Sequence, residues 1–191
     1  MTRLWWVRHG PTHQKTFTGW RDVPADLSDT AKIARLNAHL PDDALLVSSD
    51  LLRTRQTADA IAATRTRLDP DHRLRELDFG AWDGKHFTEV AQTHPELSRA
   101  YWETPGDIRA PGGESWHDLH ARLTPAIDAL VAAHTGRDII IVAHMGVIIS
   151  QLERALGVTP YKAMSHKIEP LSVTRIDIAD TWQSVSINHE P

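Results

Sequence analysis

The 191-residue chain contains no cysteine. Disulfides, thiolate nucleophiles and cysteine-ligated metals are therefore excluded, and the absence fits a reducing compartment. Lysine and arginine form no run, and the formal net charge is -4, which argues against a stripe that tracks nucleic-acid phosphates. No stretch approaches the roughly 20 apolar residues of a membrane span. The N-terminus enters an apolar segment without the basic-then-apolar pattern of a secretory signal. A soluble, cytoplasmic protein that binds neither nucleic acid nor membrane is the expectation. A Gly-x-x-x-x-Gly-Lys-Ser/Thr phosphate loop is also missing, which removes the NTPase reading. What is present is ordinary for a globular protein: 41% hydrophobic and 24% charged residues, in a length that suits one domain over 1–191.

Periodicity places the elements. An apolar strand closes at Val7, and a loop over 16–24 follows. A helix opens near Ser28, its expected N-cap, and stops at Pro41. Residues 44–47 read as a short buried strand leading into a helix over 51–63. Residues 74–79 read as a weak strand running into the Gly80–Gly84 turn. The 87–105 stretch is helical in composition but broken by Pro95. Ser115 and Asp118 resemble a capping box for a helix that runs to about His134, with Pro125 expected to kink it. Asp138–Ala143 is the clearest buried strand, and its unbroken apolar run suits a parallel sheet covered on both faces. A helix over 147–156 and an edge hairpin over 171–187 complete the order. Strands alternating with helices predict an α/β three-layer sandwich with a mostly parallel sheet.

Two strands end alike, in Val7-Arg8-His9-Gly10 and Val142-Ala143-His144-Met145-Gly146. Parallel neighbours would bring both histidines to one carboxyl edge, where ligand crevices form in open α/β sheets. Arg53 falls in the first turn of a helix, a place that disfavours a cation unless an anion is held there. Arg55, two residues on, is expected to point elsewhere. Two arginines and two histidines converging on one crevice would suit a phosphoryl group without a metal. Glu76 and Asp78 are both candidates for the acid that protonates a leaving alkoxide, and their shared parity on an extended segment does not choose between them.

These segments resemble the signatures of the histidine phosphatase superfamily, the phosphoglycerate mutase-like fold. The matching runs are Arg8-His9-Gly10, Ser48 to Ala58, Arg75 to Gly84, Pro111 to Ser115 and His144 to Ile148, in family order. The resemblance implies that His9 is the phosphorylated nucleophile and Glu76 the acid. It implies that Arg8, Arg53 and His144 bind the transferred phosphoryl group, and it adds Lys15, Thr18 and Gly19 as substrate-binding candidates. No cofactor and no metal are implied. The expected partner is a small phosphorylated metabolite, and a homodimer is the candidate assembly. Three departures stand out: Pro11 where many relatives carry an acidic residue, Gln14-Lys15 where they often carry Trp-Asn, and Met145 where a second glycine is usual.

A phosphomonoesterase is the first reading. A mutase-type phosphoryl transfer is the runner-up, since Phe17 to Val23 resembles the corresponding loop of true phosphoglycerate mutases. The chain is short for that group, however, and has no paired-arginine insertion between Gly84 and Gly113. A phosphate-binding module without turnover is the third. His117 and His120, with Glu114 just before them, read as a solvated helix face rather than a zinc site. Trp82, Tyr101 and Trp102 sit in a cap-like variable segment at about 80–114, where they could stack on a nucleoside-like leaving group such as α-ribazole or simply pack the cap.

Overall fold

Side-chain parity organises the computed structural model, which describes residues 1–191. Strand β1 (Thr2–Arg8) sends Leu4 and Trp6 to one face and Trp5 and Val7 to the other. Strand β4 (Asp138–Ala143) does the same with Ile139 and Ile141 against Ile140 and Val142. Such a sheet must be covered twice. On one face, Leu36 and Leu40 from helix α1 (Thr30–His39) and its C-terminal end join Ala58 of α2 (Leu52–Ala60) in an 11-residue core. On the other face a 24-residue core is built from α3 (Phe87–Thr93), α4 (Pro95–Glu103), α5 (Trp116–Ala133), α6 (Met145–Leu156) and α7 (Pro160–Ala163).

The remaining strands are β2 (Leu45–Ser48), β3 (Thr66–Arg67), β5 (Val173–Ile178) and β6 (Trp182–His189). The sheet order is β3-β2-β4-β1-β5-β6. The first four run parallel, and β5 and β6 form an antiparallel hairpin at the edge. The expected three-layer α/β sandwich is therefore present. The chain leaves β1 for α1 on one face and β4 for α6 on the other, so the loops diverge at their adjacent carboxyl ends and leave a crevice.

Local departures from the sequence reading have local causes. The α1 cap is Asp29, not Ser28, because the Asp29 carboxylate accepts the Lys32 N–H while the Ser28 N–H is held by Asp26. Residues 74–79 form no strand. The Leu77 and Asp78 N–H groups go to the Glu76 and Glu114 carboxylates, and the segment lies between 3-10 turns at His72–Leu74 and Gly80–Trp82. Pro95 does divide the helical stretch, and it begins α4 where its missing N–H costs nothing. The Ser115–Asp118 capping box forms with both bonds in place.

Gly80 is the tightest of these positions. Its φ is +51°, and a Cβ there would run into the backbone of Pro111, Gly112 and Gly113. Gly80→Ala should lower the unfolding free energy by more than ~1 kcal/mol, the ordinary conformational difference between the two residues, because backbone cannot move aside as a side chain can. A urea unfolding midpoint equal to the parent's would contradict this.

Candidate active site

The carboxyl ends of β1, β4 and β2 lie side by side. Arg8 pairs in register with Ala143, and Ser48 with Val142. The His9 N–H donates to the Ala143 carbonyl at 3.1 Å, and the Ser49 N–H to Val142 at 3.2 Å. The two histidines therefore leave the sheet together. Their ring centroids are 5.2 Å apart in an edge-on arrangement.

His9 is buried, and its Nδ1 lies 2.7 Å from the Gly10 carbonyl oxygen. A carbonyl only accepts, so Nδ1 carries the proton and Nε2 keeps a free lone pair. Burial, with Arg53 and Arg8 nearby, pushes its pKa down to about 3 against a bond to Gly10 that acts the other way. The ring is thus neutral across the physiological range. His144 is fully buried and is held well below the usual histidine range, first by burial and then by Arg53. Neither of its ring nitrogens has a hydrogen-bond partner.

Arg53 stands at the second position of α2 and is 1% exposed. Its terminal nitrogens donate to the carbonyls of Gly19 at 2.7 Å and Arg21 at 3.1 Å, and its Nε has no partner. Arg8 donates to the Ile168 carbonyl, and its Nε is likewise unpaired. Neither guanidinium has a carboxylate within ion-pair distance. Arg21, Arg75 and Arg122, which surround the site, are instead paired with Asp83, Asp50 and Glu114. Two charged groups whose hydrogen bonds go to main-chain carbonyls, with no carboxylate in ion-pair contact, leave a positive field in the cleft.

Glu76 is 8% exposed. Its Oε1 accepts the Leu77 N–H at 2.9 Å and its Oε2 the Gly146 N–H at 3.2 Å. A Cβ on Gly146 would sit 2.5 Å from Oε1, so the glycine makes room for the carboxylate. Behind it, the Glu76 carbonyl accepts from the Trp20 indole at 2.7 Å and from Arg122 at 2.8 Å. Arg122 also grips Glu114, whose carboxylate takes the Asp78 N–H. Asp78 itself turns back to the Gly80 N–H, so of the two acidic candidates only Glu76 enters the cleft.

The cleft is a cavity of about 230 Å3 lined by Arg8, His9, Arg53 and Glu76, with Thr and Gln side chains on one side and aromatic ones on the other. Thr18 lines it, whereas His144, at 0% exposure, does not. Lys15 is exposed and does not, while its neighbour Gln14 does. Gly19 is buried and also stays out of the lining: its carbonyl holds Arg53 and its N–H faces the Asp83 carboxylate. Trp82 and Tyr101 are core residues at 0% and 3% exposure. The aromatic wall is Phe17, Phe79 and Trp102, with Phe17 and Trp102 stacked at 6.1 Å. Of residues 80–114, Trp102 alone lines the cleft. His117 and His120 face Asp107 and Glu153, and Glu114 serves Arg122.

Two contributors went unread in the sequence. The Thr57 hydroxyl accepts the Gly10 N–H at 2.9 Å and donates to the Arg53 carbonyl at 2.7 Å, tying the nucleophile loop to α2. Asp22 accepts the Leu52 N–H at 2.6 Å and so occupies part of the helix terminus expected to face an anion. Thr57 lies one turn after Arg53, a spacing that places both on one helix face, whereas Asp22 leaves no periodic signal.

The model of the histidine phosphatase superfamily (branch 1) matches residues 4–189. The chain belongs to this superfamily. Over 170 residues it is 35% identical to a bifunctional protein of Mycobacterium tuberculosis, covering 81% of this chain and 44% of that one. The histidine phosphatase chain thus spans less than half the length of that relative. It superposes on YhfR of Bacillus stearothermophilus with a TM-score of 0.89 at 25% identity, covering 99% and 98% of the two chains. It superposes on the mycobacterial glucosyl-3-phosphoglycerate phosphatase, in complex with inorganic phosphate, with a TM-score of 0.85 at 25% identity, covering 98% and 97%. No helix of this family member is long and apolar enough to cross a membrane.

The depressed His9 pKa has a stability consequence. With about 3 in the folded state against the ordinary 6.5, the unfolded chain binds more protons between those values. Stability attributable to His9 is complete above about pH 6.5 and is lost as pH falls toward 3. The urea midpoint should therefore drop between pH 7 and pH 4, and less steeply in His9→Asn. Equal slopes in the two proteins would contradict the assignment.

Proposed function

We propose that the chain is a metal-independent phosphomonoester hydrolase working through a phosphohistidine intermediate on a small phosphorylated metabolite. The observation that carries this reading is a neutral, buried His9 with Nε2 free, beside two guanidiniums that have no carboxylate partner. A phosphoryl dianion supplies the missing negative charge. Arg8 and Arg53 would hold its equatorial oxygens, and His144 would give one of them its unpartnered N–H. An unsatisfied buried donor costs about 1–3 kcal/mol, which that contact relieves.

His9 Nε2 attacks phosphorus in line. The bond from phosphorus to the alcohol oxygen breaks while the Glu76 carboxyl proton passes to that oxygen. Alcohol leaves, and phosphohistidine faces a Glu76 carboxylate. Water then attacks phosphorus as Glu76 takes its proton, and the electron pair of the P–N bond returns to Nε2. Inorganic phosphate departs and Glu76 is protonated again. The arginines stabilise charge throughout, which is the main work in phosphoryl transfer.

Hydrolysis is favoured over mutase transfer by the charge of the cleft: Arg8 and Arg53 are its only cations, and both are taken up by the transferred phosphoryl group, which leaves none for the second acidic function of a phosphoglycerate. The clasp around Glu76 favours turnover over a binding module, since binding a phosphate needs no nearby carboxyl.

His9→Asn should abolish turnover and acid-labile labelling by substrate phosphate. Glu76→Gln should lower kcat/KM, which reports the phosphorylation step and not the later hydrolysis of phosphohistidine, by roughly 10²–10⁴-fold for alkyl phosphates and far less for 4-nitrophenyl phosphate, whose leaving group departs without a proton. A loss of kcat/KM equal for both esters would remove Glu76 from the role of acid.

A further inference from the structure

A second cavity of about 140 Å3 opens directly beside Glu76. It shares Glu76, Phe79, Trp102 and Met145 with the phosphoryl cleft, and the rest of its wall, with Leu77, Ile149 and Met164 among it, is apolar. The two are halves of one site. One half carries the phosphoryl-binding cations and the hydroxyls, and the other is apolar. Trp102 also borders a third, outer cavity with Tyr161, Met164 and Ser165, so the apolar half leads outward.

Building on the hydrolase reading above, we infer that the apolar cavity is the leaving-group subsite and that it takes an uncharged, ring-sized hydrocarbon portion of an alcohol. Position is the first argument. The leaving oxygen must meet Glu76, and the group attached to that oxygen then continues into the space on the far side of the carboxyl.

Size is the second. A cavity of about 150 Å3 lined by aliphatic and aromatic side chains stays dry and accepts benzene, and this one is nearly that volume. Its outer opening lets ring substituents reach solvent.

Chemistry is the third. The cavity offers a ligand few free donors, the Trp102 indole at its exposed rim being the side-chain N–H without a protein partner. The Trp116 indole N–H is committed to Glu153 at 2.6 Å, and the Gly146 N–H to Glu76. No cation lines it, and the phosphoryl cleft holds only Arg8 and Arg53. A leaving group with its own carboxylate or second phosphate would find Glu76 and no cationic partner. Hydrocarbon, by contrast, covers Trp102 and Met145, which are 38% and 42% exposed at the rim and favour a partner that removes them from water.

Calorimetry with two non-hydrolysable probes tests this. Benzylphosphonate should bind about 10- to 100-fold more tightly than methylphosphonate, the range expected for burying one apolar side-chain equivalent. Met164→Gln should lower that ratio by roughly threefold or more, and Met164→Leu should retain it. Because the readout is a ratio within one protein sample, partial loss of folded protein cancels. Equal affinity for the two probes, binding of neither, or a ratio untouched by Met164→Gln would each overturn the subsite.

Turnover of benzyl and ethyl phosphate, alcohols of similar leaving ability, is followed on the same samples. Preferential phosphonate binding without turnover supports the subsite and removes the hydrolase reading. Turnover of both esters with no phosphonate preference removes the subsite and leaves the hydrolase reading standing.

Discussion

Two guanidiniums without a carboxylate partner, Arg53 buried and Arg8 half-buried, are the constraint around which this protein is arranged. Burial lowers the pKa of both Arg8 and Arg53, and nearby Glu76 opposes the shift in each. Removing an uncompensated charge from water is expensive, so the chain supplies what it can without neutralising the site. Main-chain oxygens of Gly19, Arg21 and Ile168 accept from the guanidiniums. Neighbouring carboxylates are kept busy elsewhere, with Asp50 on Arg75, Glu114 on Arg122 and Asp83 on Arg21. A cleft prepared in this way is stabilised by an arriving dianion, and burial together with the same field keeps His9 neutral.

The fold makes that arrangement possible by converging three strand ends. Parallel pairing of β1 with β4 fixes the two histidines side by side, and β2 delivers α2 with Arg53. The Thr57 hydroxyl then locks the Gly10 loop to the same helix. Glu76 arrives differently, on irregular backbone that has no sheet partner to hold it. Trp20, Arg122, Gly146 and Leu77 do the holding, and the Arg122 guanidinium also lies 5.8 Å from the Trp20 ring. A nucleophile on regular structure facing an acid on a clasped loop leaves room between them for substrate.

What the residue pattern disclosed follows from which interactions are local. Strand parity, the Ser115–Asp118 cap and the Arg8-His9 strand end are written in neighbouring residues, and each is present in the structure. The expected 74–79 strand does not form, because the Glu76 and Glu114 carboxylates take the Leu77 and Asp78 N–H groups that a sheet ladder would need, and Glu114 lies far away in sequence. Lys15 and Gly19, which the family pattern implies as binding residues, do not line the cleft; one reaches solvent, and the other is spent on Arg53. The aromatic residues of 80–114 divide between the two open roles. Trp102 faces the cleft, while Trp82 and Tyr101 pack edge to face in the core, a choice made by tertiary packing rather than by composition. The apolar cavity beside Glu76 draws on residues as far apart as Leu77 and Met164, so no window of sequence displays it.

The most direct measurement of the central claim is the protonation state of His9 itself, read by nitrogen-15 NMR of the side chain at pH 6. The account predicts a neutral ring with the proton on Nδ1 and a bare Nε2, persisting to well below the pH at which an exposed histidine is charged. An imidazolium at that pH, or a neutral ring protonated on Nε2, would contradict it.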